Sequence, residues 1–202
     1  MNLTGPEAKQ TIMHRRNFLL QSSLAGAAIV SPGWLLAAKE EGVLAGKRIG
    51  IIGLDTSHSI AFTKWFNREN VEAETGGYKV VAAYPHGSLD IVSSTSRIAP
   101  NTEEMKKLGV VITSSIAELL NLVDLVCLET NDGRRHLEQA LEVFKSGKTV
   151  FIDKPVTASL KDAIAIYEAA EQFKVPVFSS SSLRYTANTK LVAKGDFGAV
   201  LG

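Results

Sequence analysis

Lys154 closes an apolar run, Val150-Phe151-Ile152, and stands between Asp153 and Pro155. A β-branched and aromatic run of this kind reads as a buried strand. The proline ends it, because proline cannot donate to a sheet ladder and holds the residue before it extended. In an open parallel sheet, ligands sit beyond the carboxyl ends of the strands. An amine delivered there is a hydrogen-bond donor and a positive charge aimed at a crevice. A second candidate stretch is Gly53-Leu54-Asp55-Thr56-Ser57-His58, a polar turn between a strand and a helix. The helix start offers free N–H groups near Thr56, Ser57 and His58, an anion site. Thr56 or Ser57 would equally serve as a helix cap. Glu129, Thr130 and Asn131 follow another apolar run, and His136 opens the next helix. The four histidines, His14, His58, His86 and His136, show no H-E-x-x-H spacing and the chain has no paired cysteines, so no metal is expected.

The elements that must position these residues alternate regularly. Strands are expected over Lys47–Gly53, Tyr78–Tyr84, Val110–Ile112, Val123–Leu128, Lys148–Ile152 and Val175–Phe178. Helices are expected over Ser59–Glu69, Glu103–Leu108, Arg134–Ser146 and Leu160–Phe173, with a helical turn Ile116–Leu120 capped by Ser115. The Ser/Thr-rich stretch Asp90–Pro100 reads as a long excursion. In the first helix Ile60, Ala61 and Trp65 fit the inward period. In the later ones Leu137, Ala140, Leu141 and Phe144, and then Leu160, Ala163, Ile164, Tyr167 and Ala170, do so. Six strands with crossover helices predict an α/β doubly wound parallel sheet of Rossmann type, strand order 3-2-1-4-5-6.

The chain has 202 residues, 45% hydrophobic and 21% charged, with 22 basic against 21 acidic side chains. That balance provides no basic field, so nucleic acid is not an expected partner. The single cysteine, Cys127, lies in an apolar run and reads as a small core residue. Residues 1–45 read as an export signal and linker. Arg15-Arg16 precedes an apolar segment from Phe18 to Ala38, and Ala37-Ala38 leads into Lys39-Glu40-Glu41. The paired arginines resemble a twin-arginine signal, which implies the twin-arginine export machinery as partner and a periplasmic or secreted location. The alternative is a membrane anchor formed by an uncleaved signal. Residues 46–180 read as the Rossmann domain and 181–202 as the start of an incomplete second domain.

Gly147-Lys148-Thr149-Val150-Phe151-Ile152-Asp153-Lys154-Pro155 resembles the G-K-H-V-x-x-E-K-P segment of the glucose–fructose oxidoreductase / inositol dehydrogenase (Gfo/Idh/MocA) family, and His136-Leu137-Glu138-Gln139-Ala140-Leu141 resembles its H-x-x-x-A-L helix. The resemblance implies a Rossmann domain followed by an α+β domain, of which only the start is expected here, at the G-x-[IVL]-G-like Gly195–Gly198. It implies NAD or NADP as cofactor, a sugar, polyol or related carbohydrate as substrate, and a possible homo-oligomer through the second domain. Lys154 is then the catalytic residue beside nicotinamide and substrate. Gly53, Leu54, Thr56, Ser57, His58, Tyr84, Glu129, Thr130, Asn131, His136, Asp153 and Lys154 become the cofactor-binding set, with Arg184 and Tyr185 at the crevice edge.

Departures from the pattern keep two alternatives open. Asp55 and His58 fall where a G-x-G-x-x-G loop has its second and third glycines. A carboxylate facing a phosphate from about 4 Å costs roughly 1 kcal/mol in water and about 4 in a surface cleft. Tyr84-Pro85-His86 stands where NAD sites carry a ribose-binding acid. The alternatives are a non-catalytic binding or assembly protein of the same family, and an NAD-dependent glycoside-cleaving enzyme.

Overall fold

The computed structural model describes residues 46–70 and 72–185. The stretch read as an export signal or alternative anchor, with Arg15 and Arg16, lies outside the described residues, as does the chain from residue 186 on. Among the described residues no helix is long and apolar enough to cross a membrane.

Six strands form one sheet in the order β3-β2-β1-β4-β5-β6. They are β1 (Arg48–Ile52), β2 (Lys79–Tyr84), β3 (Val111–Ile112), β4 (Leu125–Leu128), β5 (Thr149–Ile152) and β6 (Val177–Phe178), and every pairing is parallel. The helices are α1 (Ser57–Phe66), α2 (Glu72–Thr75), α3 (Val92–Lys107), α4 (Ile116–Leu122), α5 (His136–Lys145) and α6 (Leu160–Phe173), followed by a 3₁₀ turn Ser182–Tyr185. The chain starts at the centre, moves outward through β2 and β3, and returns to continue from β4. The strand order thus reverses between β1 and β4, which opens a crevice at their carboxyl ends. The doubly wound fold and strand order read from the sequence are the ones found.

Alternation along the strands builds two cores. One packs Ile52, Val126, Leu128, Val150 and Ile152 with Leu119, Phe144 and Ile166 of the helices. The other gathers Ile49, Ile51, Val80, Met105 and Cys127 on the opposite face. Cys127 is buried as expected, and burial pushes its thiol up.

Three expectations are corrected. Asp90–Pro100 is no excursion, because α3 spans Val92–Lys107 with Pro100 inside it. Buried Met105 and Ser94 anchor that helix, and the Asn101 side chain donates to the Leu54 and Thr56 carbonyls at 2.8 and 3.1 Å. Tertiary contacts here outweigh a composition that locally reads as loop. In α1 the fully buried positions are Ser59 and Thr63, while Ala61 and Trp65 are exposed. In α6 the inward residues are Ile166 and Ala170, with Leu160 78%, Ile164 50% and Tyr167 47% exposed. Small alanines let α6 approach α5 closely, so the bulkier stripe is the one left outside.

The amino ends of β1 and β4 are tied by Asp124. Its carboxylate accepts from the Gly46 and Arg48 amides, each at 2.9 Å, and from the Arg48 guanidinium at 2.8 and 2.9 Å. The Arg48 partnership holds the Asp124 carboxyl well below the usual carboxylate range. The folded value is depressed, so this stabilisation is present above the unfolded value near pH 4 and is lost as pH falls through the folded one. Asp124→Asn is expected to cost about 1 kcal/mol at neutral pH, since the pair is partly exposed, and the difference from wild type should vanish in acid. Urea denaturation at pH 7 and in acid checks this.

Candidate functional site

The crevice is built by the segments that leave β1, β4 and β5. Gly53, directly after β1, has φ +91°, and a Cβ there would meet the Thr130 backbone at 2.6 Å. Only glycine allows this turn and this approach of the β1 and β4 loops. The next residues are bent back onto the sheet: the Gly53 and Leu54 amides donate to the Tyr84 and Pro85 carbonyls at 2.9 and 3.0 Å. Thr56 is the N-cap of α1, accepting from the His58 amide at 3.1 Å, while Ser57 is exposed in the first turn. The cap is therefore Thr56, and Ser57 is left facing solvent at the helix start.

Asp55 does not face the crevice. It is fully buried and accepts from the Ser88 amide at 2.8 Å and the Asn131 amide at 3.1 Å. A Cβ on Gly87 would meet its carboxylate at 2.5 Å, so Gly87 leaves the room this carboxylate needs. The expected intrusion of Asp55 on a phosphate is corrected, since the side chain is turned inward and pins the loops after β1, β2 and β4 together. Arg134 reinforces the same link. It pairs with Asp132 at 2.7 Å and with Asp90, joining the β2 and β4 loops on the outside.

Lys154 lies just beyond β5, where the sequence puts it, with its side chain 55% exposed. Its ammonium stands 3.8 Å from Asp153, and the Lys154–Pro155 peptide is cis. Asp153 is almost fully buried and shares a 2.6 Å hydrogen bond with the His58 Nδ1 ring nitrogen. Glu129, at the end of β4, is fully buried, and neither of its carboxylate oxygens has a hydrogen-bond partner; the Thr130 hydroxyl is likewise buried and unpaired. Burial, reinforced by the Asp153 carboxylate and partly offset by Lys154, pushes the Glu129 carboxyl up to about 9, so it keeps its proton at neutral pH.

The structure thus brings Lys154, Asp153, His58 and Glu129 together, with Thr130 beside Glu129. Other expected members are placed differently. His136 is fully buried, with its ring nitrogens 2.6 Å from the Thr130 carbonyl and 2.9 Å from the Val156 carbonyl. It clips two loops together and has no ring nitrogen left for a ligand. The Leu54 side chain is core. Asn131 donates its side-chain amide to Ser94 at 2.8 Å. Tyr84 packs against the core and the His86 ring. Arg184 and Tyr185 are exposed in the 3₁₀ turn after β6, with no bond to Lys154, Asp153 or Glu129. Sequence reasoning missed Arg134, Asp90 and Asp132, and it missed the inward turn of Asp55. An Asn-Asp-Gly turn signal at 131–133 was the available hint that Asp132 organises its own loop.

A separate, open apolar trough of about 760 Å³ lies on the sheet face beside α1, lined by Phe62, Trp65, Leu125, Phe151 and Phe178 among others. It contains none of the polar groups above and accounts for the exposed side of α1.

A switch-point crevice at the carboxyl end of a parallel sheet, a tight glycine turn into a capped helix, and a lysine at the rim define a dinucleotide-binding domain of the Rossmann class. The chain belongs to the Gfo/Idh/MocA oxidoreductase family with its NAD-binding Rossmann fold, whose profile matches residues 47–181. Its cofactor class is accordingly a nicotinamide dinucleotide. No curated protein sequence matches the chain. Among solved structures it is similar to the WlbA dehydrogenase from Bordetella pertussis in complex with NADH and UDP-GlcNAcA, at 20% identity and TM-score 0.57, covering 74% of this chain and 41% of that one. It is also similar to the UDP-N-acetylglucosamine 3-dehydrogenase GnnA from Acidithiobacillus ferrooxidans, at 20% identity and TM-score 0.55, covering 75% and 44%. A variant of the 3-ketoreductase KijD10 from Actinomadura kijaniata, in complex with TDP-benzene and NADP, gives 19% identity and TM-score 0.53, covering 73% and 41%. At such identities the likeness concerns the fold, and the chain spans about two fifths of the length of these structures.

The residues present fit a dinucleotide on the β4–β5 side of the crevice. Buried, unpaired polar atoms of Glu129 and Thr130 end β4, and the α1 amino terminus opens beside them. On the β2 side Asp55 and Asp90 are both engaged within the protein, so neither is free for a ribose.

Proposed function

We propose that the chain is the cofactor-binding part of an NAD(P)-dependent oxidoreductase that acts on a sugar, polyol or sugar nucleotide. The observation that carries this reading is the placement of Lys154 at the end of β5, beside buried Asp153 and close enough to the unpaired Glu129 to act on its charge. Lys154 would bind the substrate oxygen, donate a hydrogen bond to it, and carry the proton exchanged with its hydroxyl. Asp153 positions Lys154, and His58 in turn orients Asp153. The protonated Glu129 is a buried donor at the floor of the site. Gly53, Thr56, Ser57 and Thr130 would hold the dinucleotide, which supplies the hydride acceptor when bound. The neighbouring structures that carry NADH or NADP with nucleotide-linked ligands support this substrate class. Residues 1–45 would direct twin-arginine export to the periplasm, and a second domain would supply further substrate contacts and an oligomer interface.

A second reading, a binding or assembly role without turnover, is favoured by the β2 side of the crevice, where Asp55 and Asp90 are held by protein partners and offer no carboxylate to a ribose. The two are separated by purifying the full-length chain and assaying NAD⁺ and NADP⁺ reduction with UDP-sugars, free hexoses, inositols and linear polyols. Reduction that depends on Lys154 supports the enzyme. Nucleotide binding with no reduction across the panel supports the binding role.

A further inference from the structure

His58, Glu129 and Asp153 come from three separate segments, the first turn of α1 and the residues just after β4 and β5. They are separated by as many as 95 positions in sequence, yet one ligand-type atom from each lies within 4.8 Å of the others. The Glu129 side chain is fully buried, points into this cluster and has both oxygens unpartnered. A buried polar group without a partner is costly and calls for an explanation in what the site holds. Lys154 is not that partner, because its amine is hydrogen-bonded to no Glu129 oxygen and its side chain, 3.8 Å from Asp153, is 55% exposed.

We propose that His58, Glu129 and Asp153 form a binding site for a divalent first-row transition cation of the Mn²⁺-to-Zn²⁺ group. An imidazole nitrogen with two carboxylates is a borderline-to-hard donor set. It suits Mn²⁺, Fe²⁺ or Zn²⁺ better than Mg²⁺ or Ca²⁺, which take oxygen ligands alone, or Cu⁺, which takes sulfur. Metal–ligand distances of about 2.0–2.2 Å put neighbouring donor atoms roughly 3.3 Å apart. The cluster brackets that value, with 2.6 Å between His58 and Asp153 and a largest separation within 4.8 Å. Binding displaces the Glu129 proton to solvent, exchanges the His58–Asp153 hydrogen bond for two metal bonds and gives the Glu129 oxygens a partner. Three protein ligands leave open positions toward solvent, where His58 is 37% exposed and Lys154 lies beside the opening. A substrate oxygen held there would meet the cation and the Lys154 amine together. The sequence shows no metal motif because the three ligands share no local spacing.

The proposal does not depend on the nucleotide reading, since metal uptake is measured with no nucleotide present. Tag-free, full-length protein is stripped with chelator, dialysed against Zn²⁺, Mn²⁺ or Mg²⁺ in separate arms, and assayed for bound metal and melting temperature. One equivalent of Zn²⁺ or Mn²⁺ with a raised melting temperature, and no Mg²⁺, is expected. Affinity should fall at least ~10-fold in each of His58→Ala, Asp153→Asn and Glu129→Gln. His58 is half-exposed, so its alanine variant remains a valid test if the buried substitutions fail to fold. Uptake below about a tenth of an equivalent, or uptake unchanged in His58→Ala, overturns the proposal. A chain that binds metal but no nicotinamide nucleotide overturns only the earlier reading.

Discussion

Lys154→Met is expected to lower turnover by about 10³-fold while nucleotide affinity stays within about 3-fold, because it removes a group that acts on the substrate oxygen and leaves the cofactor's own contacts in place. The side chain is 55% exposed, so the substitution disturbs no core packing and the protein should melt close to wild type. Arginine at this position keeps charge but not the compact donor, so Lys154→Arg should recover little activity. Steady-state kinetics with nucleotide titration provides the check. Equal losses in nucleotide affinity and turnover would mean that Lys154 serves cofactor binding and has no part in the chemistry.

The second large effect falls on Asp55. Alanine there strands the Ser88 and Asn131 amides in a fully buried place, where a removed charged partner costs about 3 kcal/mol or more. Asp55→Asn retains one acceptor and should cost about half as much. The loops after β2 and β4 are both bound to this carboxylate, so their release should also weaken nucleotide binding by about 10-fold or more. Urea denaturation and nucleotide titration of the same variants measure both. If Asp55→Ala is as stable as wild type, the pin between the three loops is not a structural element.

The parallel sheet was legible because the strands are short apolar runs closed by turn residues, and α1, α4 and α6 carry their own side-chain caps. Ser115 and Ser159 do accept from the Glu118 and Asp162 amides. Lys154 was legible for a local reason as well: Pro155 marks where β5 ends. What escaped the sequence is non-local. The link between His58 and Asp153 spans 95 positions and follows no periodic pattern. Asp55 was read against a glycine pattern that assumes its side chain points at a ligand, whereas the backbone turn sends it toward Ser88 and Asn131. The Ser/Thr-rich start of α3 was read as loop because its helicity is imposed by Met105, Ser94 and Asn101. In α6 the periodicity was right but its phase was not, because the alanine side of the helix suits close packing as well as the leucine side suits burial. His136 matched a family segment and opens α5, yet its ring is consumed by two backbone carbonyls.

Calorimetric titration of the full-length protein with NADH and with NADPH tests the central claim, that this switch-point crevice holds a nicotinamide dinucleotide beside Lys154. One site per chain is expected for at least one nucleotide, with Kd at or below about 100 µM. Affinity should drop when Gly53 is replaced by alanine, since a Cβ there meets the Thr130 backbone. No heat and no rise in melting temperature with either nucleotide at about 5 mM would contradict the claim.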